Sequence, residues 1–267
     1  YEGSYDNIFE NVSFQIDTDW KLGVIGRNGR GKTTFLNLLL GKYAYSGNIS
    51  STVKFEYFPY DVEDKSLYTI EVMKSICTEC MDWEIFREIS LLDVQEDALY
   101  RPFNTLSNGE QTKVLLAALF LTASCFLLID EPTNHLDIDA RNVVQNYLKR
   151  KKGFILVSHD RSLLDQCVDH ILSINKTNIE IQKGNFTSWW ENKTLQDNFE
   201  LAENKKLLKE IGRLSYAAKR SSNWSNKVEK SKCGTTNSGS KLDKGYVGHK
   251  PPKTMTRHTR LVSTSYI

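Results

Sequence analysis

Long hydrophobic runs are missing from this chain. Nowhere in its 267 residues do apolar side chains continue for the ~20 positions a membrane-spanning helix needs. These residues are therefore not expected to cross a membrane. Cysteine is scarce, with five dispersed through an otherwise ordinary composition. That excludes a disulfide framework and points to a reducing, cytoplasmic compartment. Cys77 and Cys80 form a single CxxC with neither a second pair nor a histidine cluster beside it. Zinc asks for four ligands, so free thiols on a helix are expected there. No internal repeat is evident, and no signal peptide is visible. The chain begins with Tyr1 rather than Met, so its natural N-terminus is expected to lie upstream.

A strong excess of either charge is also lacking, but the net of +2 hides a split. Residues 1–203 hold 20 Lys and Arg against 30 Asp and Glu, whereas residues 204–267 hold 15 against 3. A basic arm thus follows an acidic body. Such a segment seeks polyanions, most simply phosphate backbones. The plainer alternative is a solvated, positively charged face with no partner.

Residues 1–188 are expected to form one α/β domain. Short apolar runs predict strands at Val12–Ile16, Leu22–Gly26, Val53–Phe58, Phe126–Asp130, Phe154–Ser158, His170–Ile174 and Ile179–Lys183. Helical patterns follow Lys32, Tyr68, Gly109, Asp139 and Arg161. The alternation implies a largely parallel core sheet with ligands at the carboxyl ends of its strands. From Trp189 to Lys232 the pattern becomes one long polar helix without proline. Its thin apolar stripe (Leu195, Phe199, Ala202, Leu208, Ile211, Leu214, Ala218) suits a projecting basic linker arm rather than a globular core. Residues 233–267 read as a flexible basic tip and tail, with Gly234, Gly239, Gly245 and Gly248 among Ser, Thr, Asn and Lys.

The chemistry begins at Gly26-Arg27-Asn28-Gly29-Arg30-Gly31-Lys32-Thr33, a complete match to G-x-x-x-x-G-K-S/T. Glycines in this pattern turn backbone N–H groups inward around phosphates. Lys32 adds positive charge, and the Thr33 hydroxyl can ligate Mg²⁺. A strand precedes the loop and a helix containing Thr34 follows, so the helix N-terminus would face the anion. The apolar run Cys125–Ile129 delivers Asp130 and Glu131 to a sheet edge. Asp130 can hold the Mg²⁺ that bridges nucleotide phosphates, and Glu131 can deprotonate an attacking water. Ser158-His159-Asp160 follows another strand, where His159 can donate to a γ-phosphate. Ser107 and the backbone N–H groups around Gly109 form a further anion-reading helix start.

In this order the segments resemble the ATP-binding cassette (ABC) ATPases: Walker A at 26–33, signature at 106–111, Walker B at 126–131, D-loop at 134–137 and the switch His159. The resemblance covers residues 1–185. It implies that two cassettes sandwich two ATP molecules, each held by one Walker A and by the partner's signature, here Ser107, Gly109 and Gln111. It also places Tyr1, with Tyr5 as a second candidate, where an aromatic stacks on adenine. The forms Glu110-Gln111-Thr112-Lys113, Glu131-Pro132-Thr133-Asn134-His135-Leu136-Asp137 and Ser158-His159-Asp160-Arg161 look like ABC-F proteins, which carry two cassettes in one chain, lack membrane domains and act on ribosomes. Residues 1–250, including Trp224–Lys232, closely resemble the Lsa group of antibiotic-resistance ABC-F proteins. That likeness implies protection of the large ribosomal subunit, near the tRNA exit site and the peptidyl-transferase centre, against lincosamides, pleuromutilins and streptogramin A.

Three departures stand out. Tyr60 occupies the place where most cassettes have a glutamine contacting Mg²⁺ and water. A phenol offers no amide carbonyl, so the metal site is expected to differ. Asn108 stands where glycine is common. The second cassette implied by the resemblance is not in this chain, and residues 251–267 do not look like the linker, so the chain reads as a fragment or as a reading altered near Pro251. Two other functions fit the motifs: the ATPase subunit of a membrane transporter, and a non-catalytic ATP-binding fragment.

Overall fold

A computed structural model describes residues 8–27, 29, 31–134, 136–175 and 179–232. The expectations for Tyr1, Tyr5, Asn28, Arg30, His135 and the tail 233–267 lie outside the described residues. The chain divides into two units, Tyr1–Glu191 and Asn192–Ile267.

The first unit is built on six strands: β1 (Lys21–Ile25), β2 (Lys54–Phe58), β3 (Cys125–Asp130), β4 (Phe154–Val157), β5 (His170–Ile174) and β6 (Ile179–Lys183). They lie in the order β2-β3-β4-β1-β5-β6. Every pairing is parallel except β5 with β6. The apolar runs explain the central position of β1, β3 and β4, because a strand covered on both faces needs hydrophobic side chains at every position. Alternation then sorts them. Leu127, Ile129, Phe154 and Leu156 enter one core, while Phe126, Leu128, Ile155, Val157, Leu22 and Val24 enter the other. Each such burial is worth about 1.5–3 kcal/mol.

Helix α1 (Lys32–Leu39) inserts Phe35 and Leu36 into the second core. On the opposite face lie α2 (Thr69–Ile76), α3 (Asp82–Leu91), α4 (Asn108–Leu121), α5 (Ile138–Arg150) and α6 (Arg161–Cys167). Helix α4 is buried continuously from Lys113 to Leu119, which accounts for its run Val-Leu-Leu-Ala-Ala-Leu. One polar knot crosses this layer. The buried carboxylate of Glu88 on α3 accepts hydrogen bonds from the Tyr147 hydroxyl on α5 (2.6 Å) and from the ammonium of Lys151 just beyond it. The Arg87 guanidinium adds a third donor at 3.0 Å.

Two expectations need correction. Val12–Ile16 is not a strand, although Phe14 reaches the Phe35 ring (centroids 5.9 Å apart) and Ile16 packs on the second core. Period-2 patterning decides which side chains face the core, but a strand also needs a backbone partner, and residues 12–16 lie in no ladder. Helix α3 was not anticipated. Its N-cap, Met81, is not a capping residue type, yet its backbone N–H donates to the Glu84 carboxylate at 2.9 Å.

Helix α7 (Phe186–Lys232) runs for 47 residues without interruption and carries the second unit's described part. Beyond Glu191 its stripe residues Leu195, Phe199, Leu208 and Ile211 are exposed. Intrahelical pairs such as Lys193–Asp197 (3.1 Å) and Gln196–Glu200 (3.1 Å) line its surface.

Candidate functional site

The phosphate loop leaves the carboxyl end of β1, and its geometry depends on glycine. Gly29 and Gly31 have φ of 77° and 90°, values that L side chains adopt only under strain. A Cβ on Gly31 would also come within 2.5 Å of the Ile8 side chain. Gly31 caps α1, and no side chain occupies the cap. A helix start of this kind, uncapped by a side chain, is where an anion can dock. The Lys32 ammonium donates to the Gly26 carbonyl at 2.9 Å, folding back along the loop. Arg27 follows Gly26 within the loop, and Thr34 lies in the first turn of α1.

Strand register brings the chemical groups to the same edge. Val157 pairs with Val24 on β1 and with Asp130 on β3, so the residues that follow all three strands emerge together. Asp130 Oδ2 accepts a hydrogen bond from Thr33 Oγ1 at 3.2 Å. A hydroxyl that donates its proton to the carboxylate keeps its lone pairs for a cation, so the two residues fit one shared metal ion. The same Oδ2 accepts from the Tyr57 hydroxyl, also at 3.2 Å. Burial and the neighbouring Asp130 carboxylate push the Tyr57 phenol up to about 12, so it remains a donor at neutral pH.

Glu131 sits just beyond β3 in the left-handed region, with φ of 51°. Its N–H still donates to the Val157 carbonyl at 2.9 Å, which fixes the backbone while the side chain turns. Glu131 Oε2 accepts from the His159 backbone N–H at 3.3 Å. Oε1 is buried, without a hydrogen bond among the described residues, and lies 3.5 Å from His159 Nε2. Burial raises the Glu131 carboxyl above its ordinary value, and Asp130 adds to the effect, while the His159 N–H and ring oppose it. A half-buried carboxylate with an unfilled acceptor oxygen has the chemistry of a general base for water. The His159 ring is mostly exposed, as a group meeting a ligand must be.

The signature segment is a tightly made helix start. Ser107 Oγ donates to Glu110 Oε2 (2.8 Å) and accepts from the Glu110 N–H (3.2 Å), closing a capping box. The Gln111 side-chain amide donates to the carbonyls of Leu106 (3.0 Å) and Phe103 (3.3 Å), so it braces the turn from within. Gly109 lies against Leu136 of the D-loop. Asp137 caps α5 through the Ala140 N–H at 2.8 Å. Thr33, Asp130, Glu131 and His159 are therefore joined by direct contacts. Ser107, Gly109 and Gln111 belong to a separate constellation at the head of α4.

Two residues missed by sequence reasoning belong to this neighbourhood. Tyr57 is one. A tyrosine in a half-buried strand generally finds a partner for its hydroxyl, and that rule could have flagged it. Arg161 is the other. It lies two residues after His159, and its guanidinium sits 5.7 Å and 5.4 Å from the ring centroids of Phe186 and Trp190, in the first turns of α7. Those two rings stack at 6.2 Å, and the Thr187 N–H donates to Asp165 on α6 at 2.8 Å.

Residues 9–134 match the ABC transporter family. The ribosome protection protein VmlR of Bacillus subtilis is 32% identical over 66% of this chain and 33% of its own length. The erythromycin resistance ATP-binding protein MsrA of Staphylococcus epidermidis is 33% identical over 73% of this chain and 36% of its own. ABC transporter F family member 5 of Arabidopsis thaliana is 27% identical over 69% and 28%. The chain thus spans about a third of the length of these relatives. In fold it is similar to a bacterial ABC transporter cassette solved as a dimer, with a TM-score of 0.54 and 17% identity over 66% of this chain and 90% of that one. No helix among the described residues is long and apolar enough to cross a membrane. The glycine loop, the Thr33–Asp130 pair and the matched residues together resemble an ABC transporter ATP-binding domain, and the relatives of this chain include ABC-F proteins.

Proposed function

We propose that this chain is the first cassette and linker arm of an ABC-F ribosomal protection ATPase of the Lsa kind, acting in the cytoplasm. The observation that carries the enzymatic part is the buried, unfilled Oε1 of Glu131 beside His159, one residue from the Thr33–Asp130 pair. Gly26–Thr33, with Thr34 behind them, would hold the phosphates of ATP, and Thr33 with Asp130 would hold Mg²⁺. Bound there, Mg²⁺ supplies charge neutralisation across the phosphates. Glu131 takes a proton from water as the water oxygen adds to the γ-phosphorus, and ADP leaves with the electrons of the broken P–O bond. His159 meets the γ-phosphate and reports its presence. Ser107, Gly109 and Gln111 would serve the nucleotide of a second cassette, and that cassette's signature would complete this one.

The arm is assigned by its charge, its uninterrupted helix and the names of a ribosome protection protein and an erythromycin resistance protein, 32% and 33% identical. On this reading ATP closes the cassettes, the arm enters the large subunit near the tRNA exit site and peptidyl-transferase centre, and drug is displaced. The drugs expected are lincosamides, pleuromutilins and streptogramin A. The test is sedimentation of Glu131→Gln with ribosomes and, separately, with membrane vesicles in the presence of ATP. Accumulation on ribosomes is expected. Protein left in the supernatant, or found only with membranes, contradicts the proposal, the latter in favour of a transporter subunit.

A further inference from the structure

We propose that Tyr57 is a positioning residue for the metal-holding carboxylate, fixing Asp130 so that it can share a cation with Thr33. The inference rests on the nucleotide-site reading above and adds a residue to it. Asp130 turns about two side-chain torsions. A single donor from Thr33 would leave the carboxylate free to swing about that contact. The second donor, the Tyr57 hydroxyl, meets the same oxygen, Oδ2, at the same 3.2 Å. One donor comes from the start of α1 and the other from β2, so the carboxylate is held between two separate elements. Oδ1 is the oxygen left to face a cation.

Tyr57 is itself well held. It pairs with Leu128 in the ladder to β3, two residues before Asp130. Its ring packs against the second core, and the Lys42 ammonium lies 5.3 Å from its centroid. Tyr60, at the position where cassettes commonly carry a metal-contacting glutamine, is exposed. The chain thus lacks an amide ligand from this segment and has instead a phenol that acts one step back, through Asp130. Tyr57 touches neither phosphate nor reacting atoms in this scheme, and its effect is on metal retention.

The experiment compares the whole chain with Tyr57→Phe, which removes one oxygen and keeps the ring. ATP affinity is measured without metal, and Mn²⁺ affinity of the ATP-loaded protein is measured by electron paramagnetic resonance. Metal-free ATP affinity should be unchanged, while Mn²⁺ binding weakens about ten- to a hundredfold, the loss expected for one hydrogen bond to a charged group. Mn²⁺ affinity equal to that of the unmodified chain overturns the proposal, as does a parallel loss of metal-free ATP affinity, which would make Tyr57 merely structural. Failure of the unmodified chain to bind ATP would instead overturn the nucleotide-site reading itself.

Discussion

Glu131 pays for its function in stability. Its carboxyl is raised above the ordinary value because burial disfavours the anion. A raised folded value means the group favours folding most below its unfolded titration, and that contribution is lost as pH rises through the folded value. Glu131→Gln is therefore expected to raise the thermal midpoint at neutral pH, measured by calorimetry, while lowering ATP turnover by roughly 10²–10⁴-fold, the range for removing a general base. A variant that loses activity and stability together would mean that Glu131 serves as scaffold. The same shift sets the pH profile. Turnover should fall on the acid side at a pH above the usual carboxylate range, and this limb should be absent from the residual rate of the glutamine variant.

Individual elements differ in how openly the sequence announces them. The β1–loop–α1 unit was legible because glycine spacing and strand–helix context specify one backbone geometry. The central strands were legible because burial on both faces demands continuous apolar runs. Val12–Ile16 was misread because patterning says nothing about a hydrogen-bond partner, and α3 was missed because Met81 does not advertise a cap. Contacts between elements were the least legible. Glu88, Tyr147 and Lys151 lie 59 and 63 residues apart in sequence, and nothing local links them. Burial alone would raise Glu88, but Lys151 and Tyr147 outweigh it and leave the carboxyl below its usual value. A depressed folded value gives stability present above the unfolded titration and lost as pH falls through the folded one. Glu88→Gln should thus cost roughly 3 kcal/mol in urea unfolding at neutral pH, and the difference should shrink below pH ~4. The junction of α6 and α7 is equally non-local. Arg161→Met removes the cation lying over Phe186 and Trp190 and should cost about 1 kcal/mol. Faster amide exchange confined to residues 186–190 would place the loss at the root of α7, and unchanged exchange there would refute the anchor.

For the whole molecule, the segments group into two half-sites. The loop 26–33 with Asp130, Glu131 and His159 forms one, and the Ser107–Gln111 helix start forms the other. On the proposed reading neither is complete within one chain. The most direct test is ATP turnover per chain measured against protein concentration. The account predicts a rate per chain that climbs with concentration as copies pair, and that Glu131→Gln lowers by roughly 10²–10⁴-fold at every concentration. A rate per chain that stays constant, whether substantial or absent, would contradict it.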